Sequence, residues 1–221
     1  MNQFISGIDY HEFYQAIGDT LFMLGISLLF SSLIGIPIGV ILYLTGSGKL
    51  LKNKLAYNIL SFIINILRSM PFIILIILMM PFTIFIVGTS LGAKGVLLPL
   101  IFGAFPFFAR LIENALQEID TGIINMAESF GASTWQIVWN ILLPEILPNI
   151  ISSITVTAIA LVSYTAMAGV VGGGGLGDLA IRYGYQRFQT NIMIVTVVLL
   201  LVLVQLIQII GDKIGLLIKK R

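Results

Sequence analysis

Two glycine-rich runs are the first places to look for chemistry in this sequence. Gly46-Ser47-Gly48-Lys49 matches the tail of a phosphate-binding loop, where backbone N–H groups cradle phosphates and the lysine reaches them. The full pattern needs a glycine five residues before Gly48 and Ser or Thr after Lys49. Tyr43 and Leu50 occupy those positions, and an apolar run stands where a strand is required. Gly172 to Gly177 satisfies the spacing of a dinucleotide fingerprint, but it too follows a long apolar run and has no βαβ context. The chain has no cysteine, which excludes disulfides and thiolate metal sites. Its one histidine, His11, lies in a polar N-terminal stretch, where an idle surface residue is the ordinary reading. Ser163 has no ionisable neighbour in sequence to act as a base. The residues therefore predict no enzyme, no metal and no cofactor. If the chain takes part in ATP-driven work, another protein must hydrolyse the ATP.

The elements that carry these residues are set by how few charges there are. Only 10% of the 221 residues are charged and 58% are apolar, against roughly 25% charged in a soluble domain. Uncharged stretches run from Thr20 to Gly48, Ser69 to Ala93, Ile146 to Gly177 and Phe188 to Gly211. Each reaches the ~20 residues a helix needs to cross a bilayer. The spacing predicts an all-α membrane protein of about five transmembrane helices, at about 20–44, 55–87, 95–112, 147–170 and 190–211. The second is read as one span broken around Arg68-Ser69-Met70-Pro71, since 33 residues are too many for one straight helix and too few for two with a loop. Ser31, Gly35 and Gly39 form a small-residue stripe that would let another helix approach closely, and Pro37 is expected to kink the same span. Arg68, within an apolar stretch, is either paired inside the bundle for a function or snorkels to an interface.

Basic residues orient the chain. Lys49, Lys52 and Lys54 follow the first span, and Lys213, Lys219, Lys220 and Arg221 follow the fifth. Both clusters belong on the cytoplasmic side, which requires an even number of spans between them, and four are counted. The N-terminus is then outside and the C-terminus inside. Residues 1–18 hold acids and no Lys or Arg, unlike the basic start of a signal peptide, so the first span is expected to stay uncleaved. The domain reading is a 1–18 extracytoplasmic tail, a 19–212 transmembrane domain with a polar loop at 120–145, and a 213–221 cytoplasmic basic tail. The stretch from Glu113 to Glu145 falls inside despite five acids and no base, since acids weigh little in that rule.

The polar loop holds an amphipathic helix too short to span. Trp135, Trp139 and Leu142–Leu143 recur at helical spacing, with Ile137 and Ile141 on a neighbouring stripe. Gly131 separates it from a short helix around Asn125–Phe130, and Pro144 and Pro148 end it. Such a helix either lies along lipid headgroups or is presented to a groove on a partner. Ala127, then Gly131, then nine residues and Ile141-Leu142-Leu143-Pro144 resemble the EAA loop of ABC importer permeases; Asn125 and Met126 stand where that pattern has Glu and Ala. A second run, Ser163-Tyr164-Thr165-Ala166-Met167-Ala168-Gly169 with Gly172–Gly177, Asp178 and Ile181 to Phe188, is similar to the methionine permeases within that family, as are Arg68-Ser69-Met70-Pro71-Phe72 and Pro81 to Ser90. The resemblance covers nearly the whole chain from the first span onward.

The resemblance implies a permease subunit that forms the pathway for methionine across the cell (inner or plasma) membrane, with the loop acting as a cytoplasmic coupling helix on a separate ATPase. Asn125, Ala127, Gly131, Ala132, Trp135, Ile141, Leu143 and Pro144 would carry that coupling. One chain supplies one such loop, so a C2 dimer of the chain with two ATP-binding subunits is expected, working by alternating access and taking methionine from an extracytoplasmic binding protein. Lipid is a partner and nucleic acid is not. Met167, with Tyr164 on the same helix face and Ser163 beside them, either lines the pathway or packs between helices. Arg182, Tyr183, Tyr185 and Arg187, in an outer loop, either anchor at the interface or meet the binding protein. Rival readings are a permease for another small amino acid or peptide, a passive channel, or a membrane-embedded enzyme.

Overall fold

The computed structural model describes residues 10–219, and the remainder of the N-terminal tail and Lys220–Arg221 lie outside it. The elements are α1 (Tyr10–Thr45), α2 (Lys54–Ser69), α3 (Phe72–Val87), α4 (Gly92–Gly95), α5 (Leu97–Gln117), α6 (Thr121–Ser129), α7 (Thr134–Ile137), α8 (Leu143–Glu145), α9 (Leu147–Ala168), α10 (Gly175–Leu179) and α11 (Thr190–Lys219). Single turns of wider π geometry join α7 to α8 and follow α10. No strand occurs among the described residues.

Helix α1 is 36 residues long, about 54 Å at 1.5 Å per residue, so it begins ten residues before the expected span and is longer than the ~30 Å of hydrocarbon. Its small-residue stripe does what the spacing suggests. A Cβ at Gly35 would sit 2.6 Å from the Phe108 ring, and one at Gly39 would sit 2.6 Å from the Ala109 carbonyl oxygen. The Ser31 hydroxyl, between α1 and α5, donates to the Ile101 carbonyl at 3.4 Å. Helix α5 is thereby the centre of the bundle, with α1, α2, α3 and α9 packed around it. Leu21, Leu29, Leu33 and Ile41 of α1 remain exposed, as do Ile194, Leu201 and Ile209 of α11, which is the lipid-facing pattern of an apolar helix.

Four helices (α1, α5, α9 and α11) are each long and apolar enough to cross a membrane, and α2 with α3 makes a fifth when taken as one bent pair. Asn53 caps α2, its side chain accepting from the Ala56 N–H at 3.1 Å. The helix stops at Ser69 because Pro71 bars the preceding residue from helical geometry and removes a donor. The two axes then differ by 109°, far more than a proline kink within a continuous helix. Gly88, at φ 85°, closes α3 in left-handed geometry.

Candidate functional site

The segment 121–145 is built as a tab of short helices on the end of the bundle. Asp120 caps α6 by accepting from the Gly122 N–H at 2.8 Å. At its other end Gly131, at φ 79°, takes the left-handed conformation that only glycine adopts without cost. The Gly131 N–H donates to Glu128 at 2.9 Å and the Ala132 N–H to Ala127 at 3.1 Å. Helix α7 starts with a capping box: the Ser133 hydroxyl accepts from the Gln136 N–H at 3.4 Å, and the Gln136 side chain accepts from the Ser133 N–H at 2.8 Å. Joints are short, at 118–120, 130–133 and Ile146 alone.

Burial splits this segment into two faces. Ile124, Ala127, Ile137, Val138 and Leu142 are buried in one cluster with Tyr43 of α1 and Leu116 of α5. Phe130, Trp135 and Trp139 are 85%, 69% and 65% exposed. Of the residues singled out by sequence, Asn125, Gly131, Trp135 and Pro144 are exposed; Ala132, Ile141 and Leu143 are half-buried against the cluster; Ala127 is inside it. The prolines behave differently from expectation. The chain stays helical through Pro144, and Pro148 stands in the first turn of α9, where its missing N–H has no partner to lose.

Sequence reading also placed Glu113 in the polar loop. It lies instead inside α5, where it is 1% exposed and paired with Arg110. The Tyr57 hydroxyl donates to Glu113 at 3.2 Å, and Arg110 donates to Ser61 at 2.8 Å and Asn65 at 2.9 Å. This polar clamp holds α2 on α5. Its signal in the sequence was the pairing of Arg110 with Glu113 at i, i+3 and of Tyr57, Ser61 and Asn65 at i, i+4.

On α9, Ser152, Val156, Ser163 and Met167 are exposed along one side, with Val170 just past its end, a helical stripe that no other described residue covers. Tyr164 turns away from that stripe and stacks on Phe72 of α3, ring centroids 4.3 Å apart and planes 9° apart. Ser163 and Met167 thus share an open face, and Tyr164 belongs to a different surface.

At the other end of α9 the glycine run folds the chain back on itself. Gly172, Gly174 and Gly175 all have positive φ. A Cβ at Gly177 would meet the Ala166 backbone at 2.5 Å, and Gly169 is pressed against Asp178. The Gly92 N–H donates to the Gly172 carbonyl at 2.9 Å and the Leu176 N–H to Thr20 at 2.9 Å, which ties the turn to α1 and α4. The expected outer loop is in fact helical as far as Tyr185. Arg182 bridges Asp178 at 2.8 Å and Glu12 of α1 at 2.7 Å. Tyr183 is buried and donates to Glu12 at 2.7 Å; that hydrogen bond, with burial, holds its phenol above the usual range. Arg187 stacks over the Tyr183 ring at 4.4 Å. Only Tyr185 and Arg187 of the four residues singled out here are fully exposed.

A sequence profile described as "Binding-protein-dependent transport system inner membrane component" matches residues 35–220. The probable D-methionine transport system permease protein MetI of Vibrio cholerae is 51% identical over 197 residues, covering 89% of this chain and 88% of that one. The methionine import system permease protein MetP of Bacillus subtilis is 47% identical over 219 residues, 99% of both chains. A chain from the inward-facing MetNI methionine ABC transporter superposes with a TM-score of 0.93 at 45% identity, covering 95% of this chain and 97% of that one. A chain of an amino acid ABC transporter with histidines reaches 0.77 at 18% identity, over 96% and 97%, and that likeness is one of fold alone.

Proposed function

The chain belongs to the binding-protein-dependent transport system inner membrane component family, and from that premise we propose that it is the membrane permease subunit of an ABC importer for methionine. It is a multi-pass membrane protein. Two copies form the pathway about a two-fold axis, two cytoplasmic ATP-binding subunits drive it, and an extracytoplasmic binding protein delivers methionine. The N-terminus lies outside and the C-terminus inside. The observation that carries the substrate is identity across nearly the whole length to proteins named as methionine permeases.

Each part of the geometry has a place in that cycle. The exposed face of Phe130, Trp135 and Trp139 seats in the ATPase subunit, with Asn125 and Pro144 beside it. The buried face fastens the segment to α1 and α5, so ATP-driven approach of the two ATPases moves the spans as bodies rather than bending the loop. Ala127 contributes from within, by packing, and Ala132, Ile141 and Leu143 from the edge. The open stripe of α9 faces the axis, where Ser163 and Met167 of the two copies line the passage, and Tyr164 lines its flank. Tyr185 and Arg187 meet the binding protein, while Arg182 and Tyr183 hold the outer end of α1 for them.

Uptake of labelled methionine into proteoliposomes holding the chain, its ATPase and binding protein tests the reading. Uptake that requires ATP inside or outside on the ATPase face, and that excess unlabelled methionine abolishes, is expected. Flux without ATP would make the chain a passive channel, and competition by a different amino acid alone would reassign the cargo.

A further inference from the structure

Arg68 is a charge that neither the fold nor the coupling segment uses. It sits in the last turn of α2, about 21 Å along the helix from Lys54 at 1.5 Å per residue, at the break where the chain turns by 109° into α3. A charge within so apolar a stretch is costly in a membrane unless it is paired or serves a pathway. Among the described residues Arg68 makes no ion pair and no hydrogen bond; its guanidinium lies 5.9 Å from the centre of the Phe107 ring. Arg110, one helix away, shows the alternative, with its carboxylate supplied by Glu113. For Arg68, whose side chain is exposed in the single chain, the described residues supply none.

What it does face is a cavity of about 120 Å³ lined by Leu67, Met70, Phe72, Leu75, Phe107 and Tyr164, with Gly103 at its wall. That is the liquid volume of about four waters, enough for the head of a small amphiphile. Two unused donors open onto it. One is the Arg68 fork, which suits a planar carboxylate in bidentate geometry. The other is the Tyr164 hydroxyl, which likewise makes no hydrogen bond among the described residues while its ring is held by stacking on Phe72. The rest of the lining is aliphatic, aromatic and thioether, surfaces that take an apolar or sulfur-bearing side chain. Gly103 keeps the wall open: a Cβ there would lie 3.1 Å from the Phe72 ring.

We infer that this cavity at the α2–α3 break is a transient binding site for the α-carboxylate of an amino acid on its way through the membrane, with Arg68 and Tyr164 as its ligands. The inference rests on the importer reading and adds to it where the cargo's charge is held. A carboxylate cannot cross the hydrocarbon depth unpaired, and Arg68 supplies the countercharge without fixing it permanently, since the site has no acid of its own to compete. The break between α2 and α3 is what makes this possible: it ends α2 at Ser69 and brings Arg68 to Phe72 and Tyr164 of two other helices.

The native chain has no cysteine, so Met70→Cys gives it a single reporter thiol in the cavity. The assembled permease with a cysteine-free ATPase, in nanodiscs and without binding protein, is treated with a small methanethiosulfonate reagent. L-methionine at four times its dissociation constant is expected to slow modification about fivefold, the factor 1 + [L]/Kd. Methionine methyl ester, which keeps the thioether and ammonium but lacks the carboxylate, is expected to give little slowing, and Arg68→Gln to remove the effect of methionine. Equal protection by acid and ester, or protection that survives Arg68→Gln, overturns the site. The ester comparison is made with Arg68 in place, so it decides the matter even if Arg68→Gln fails to assemble. If methionine does not protect, other α-amino acids are tried with their esters. Arg68-dependent, carboxylate-dependent protection by any of them supports the site, and none overturns it. Uptake by the unsubstituted complex decides separately whether methionine is the cargo.

Discussion

Gly131 is the residue whose structural demand is clearest. Its φ of 79° costs an L-residue about 1–2 kcal/mol, more with a β-branch, yet a Cβ there would meet nothing. Gly131→Val should therefore distort the α6–α7 corner without disturbing the bundle. The expected outcome is normal membrane insertion and assembly with ATP hydrolysis that no longer drives methionine uptake; coupled uptake at the unsubstituted rate would show that the corner carries no motion. Gly131 was legible in sequence because a glycine between two helical patterns has few other uses. Glu113 was not, because its helix runs five residues past the expected span end at 112, to Gln117, and a carboxylate at such a boundary reads as loop until its arginine is seen. Tyr164 and Met167, three apart, read as one face; stacking on Phe72 assigns Tyr164 to another, and a contact between distant helices leaves no local trace.

At the scale of elements, the small-residue stripe of α1 and the helix break at Arg68–Pro71 were both readable, because close approach needs missing side chains and Pro71 cannot continue a helix. Which face of the coupling segment is buried was not readable, since its tryptophans and its isoleucines are equally apolar. The structure answers with Ile137 fully buried and Trp135 and Trp139 exposed, and the two faces should respond differently to truncation. Ile137→Ala should cost about 2–5 kcal/mol as a core cavity, read as a lower thermal unfolding midpoint of the purified chain. Trp135→Ala with Trp139→Ala should leave that midpoint in place and instead lower the yield of ATPase recovered with the permease. A shared loss of midpoint in both variants would mean the tryptophans are packed rather than docked.

For the whole molecule, the sequence speaks to orientation and copy number only indirectly, through charge placement and the presence of a single loop, because partners leave no residues in the chain. Single cysteines at Tyr10, Ser47 and Ser133 test orientation: an impermeant thiol reagent on intact cells should label the Tyr10→Cys variant alone, and labelling of Ser47→Cys would invert the topology. The uncovered stripe of α9 tests copy number. Met167→Cys should form a disulfide between two copies under mild oxidation, whereas Leu201→Cys, exposed on α11, should not. The short joints of the coupling segment have a further consequence. Three residues, four residues and one residue separate its helices from each other and from α5 and α9; in the coupling role proposed above, such a train would have almost no backlash, and input displacement would not be absorbed as slack before the spans begin to move. Compliance added at one joint should then cost stroke rather than affinity. Two glycines inserted after Glu118 are expected to leave ATPase binding intact and raise the number of ATP molecules consumed per methionine imported, with the ratio growing as the insert lengthens.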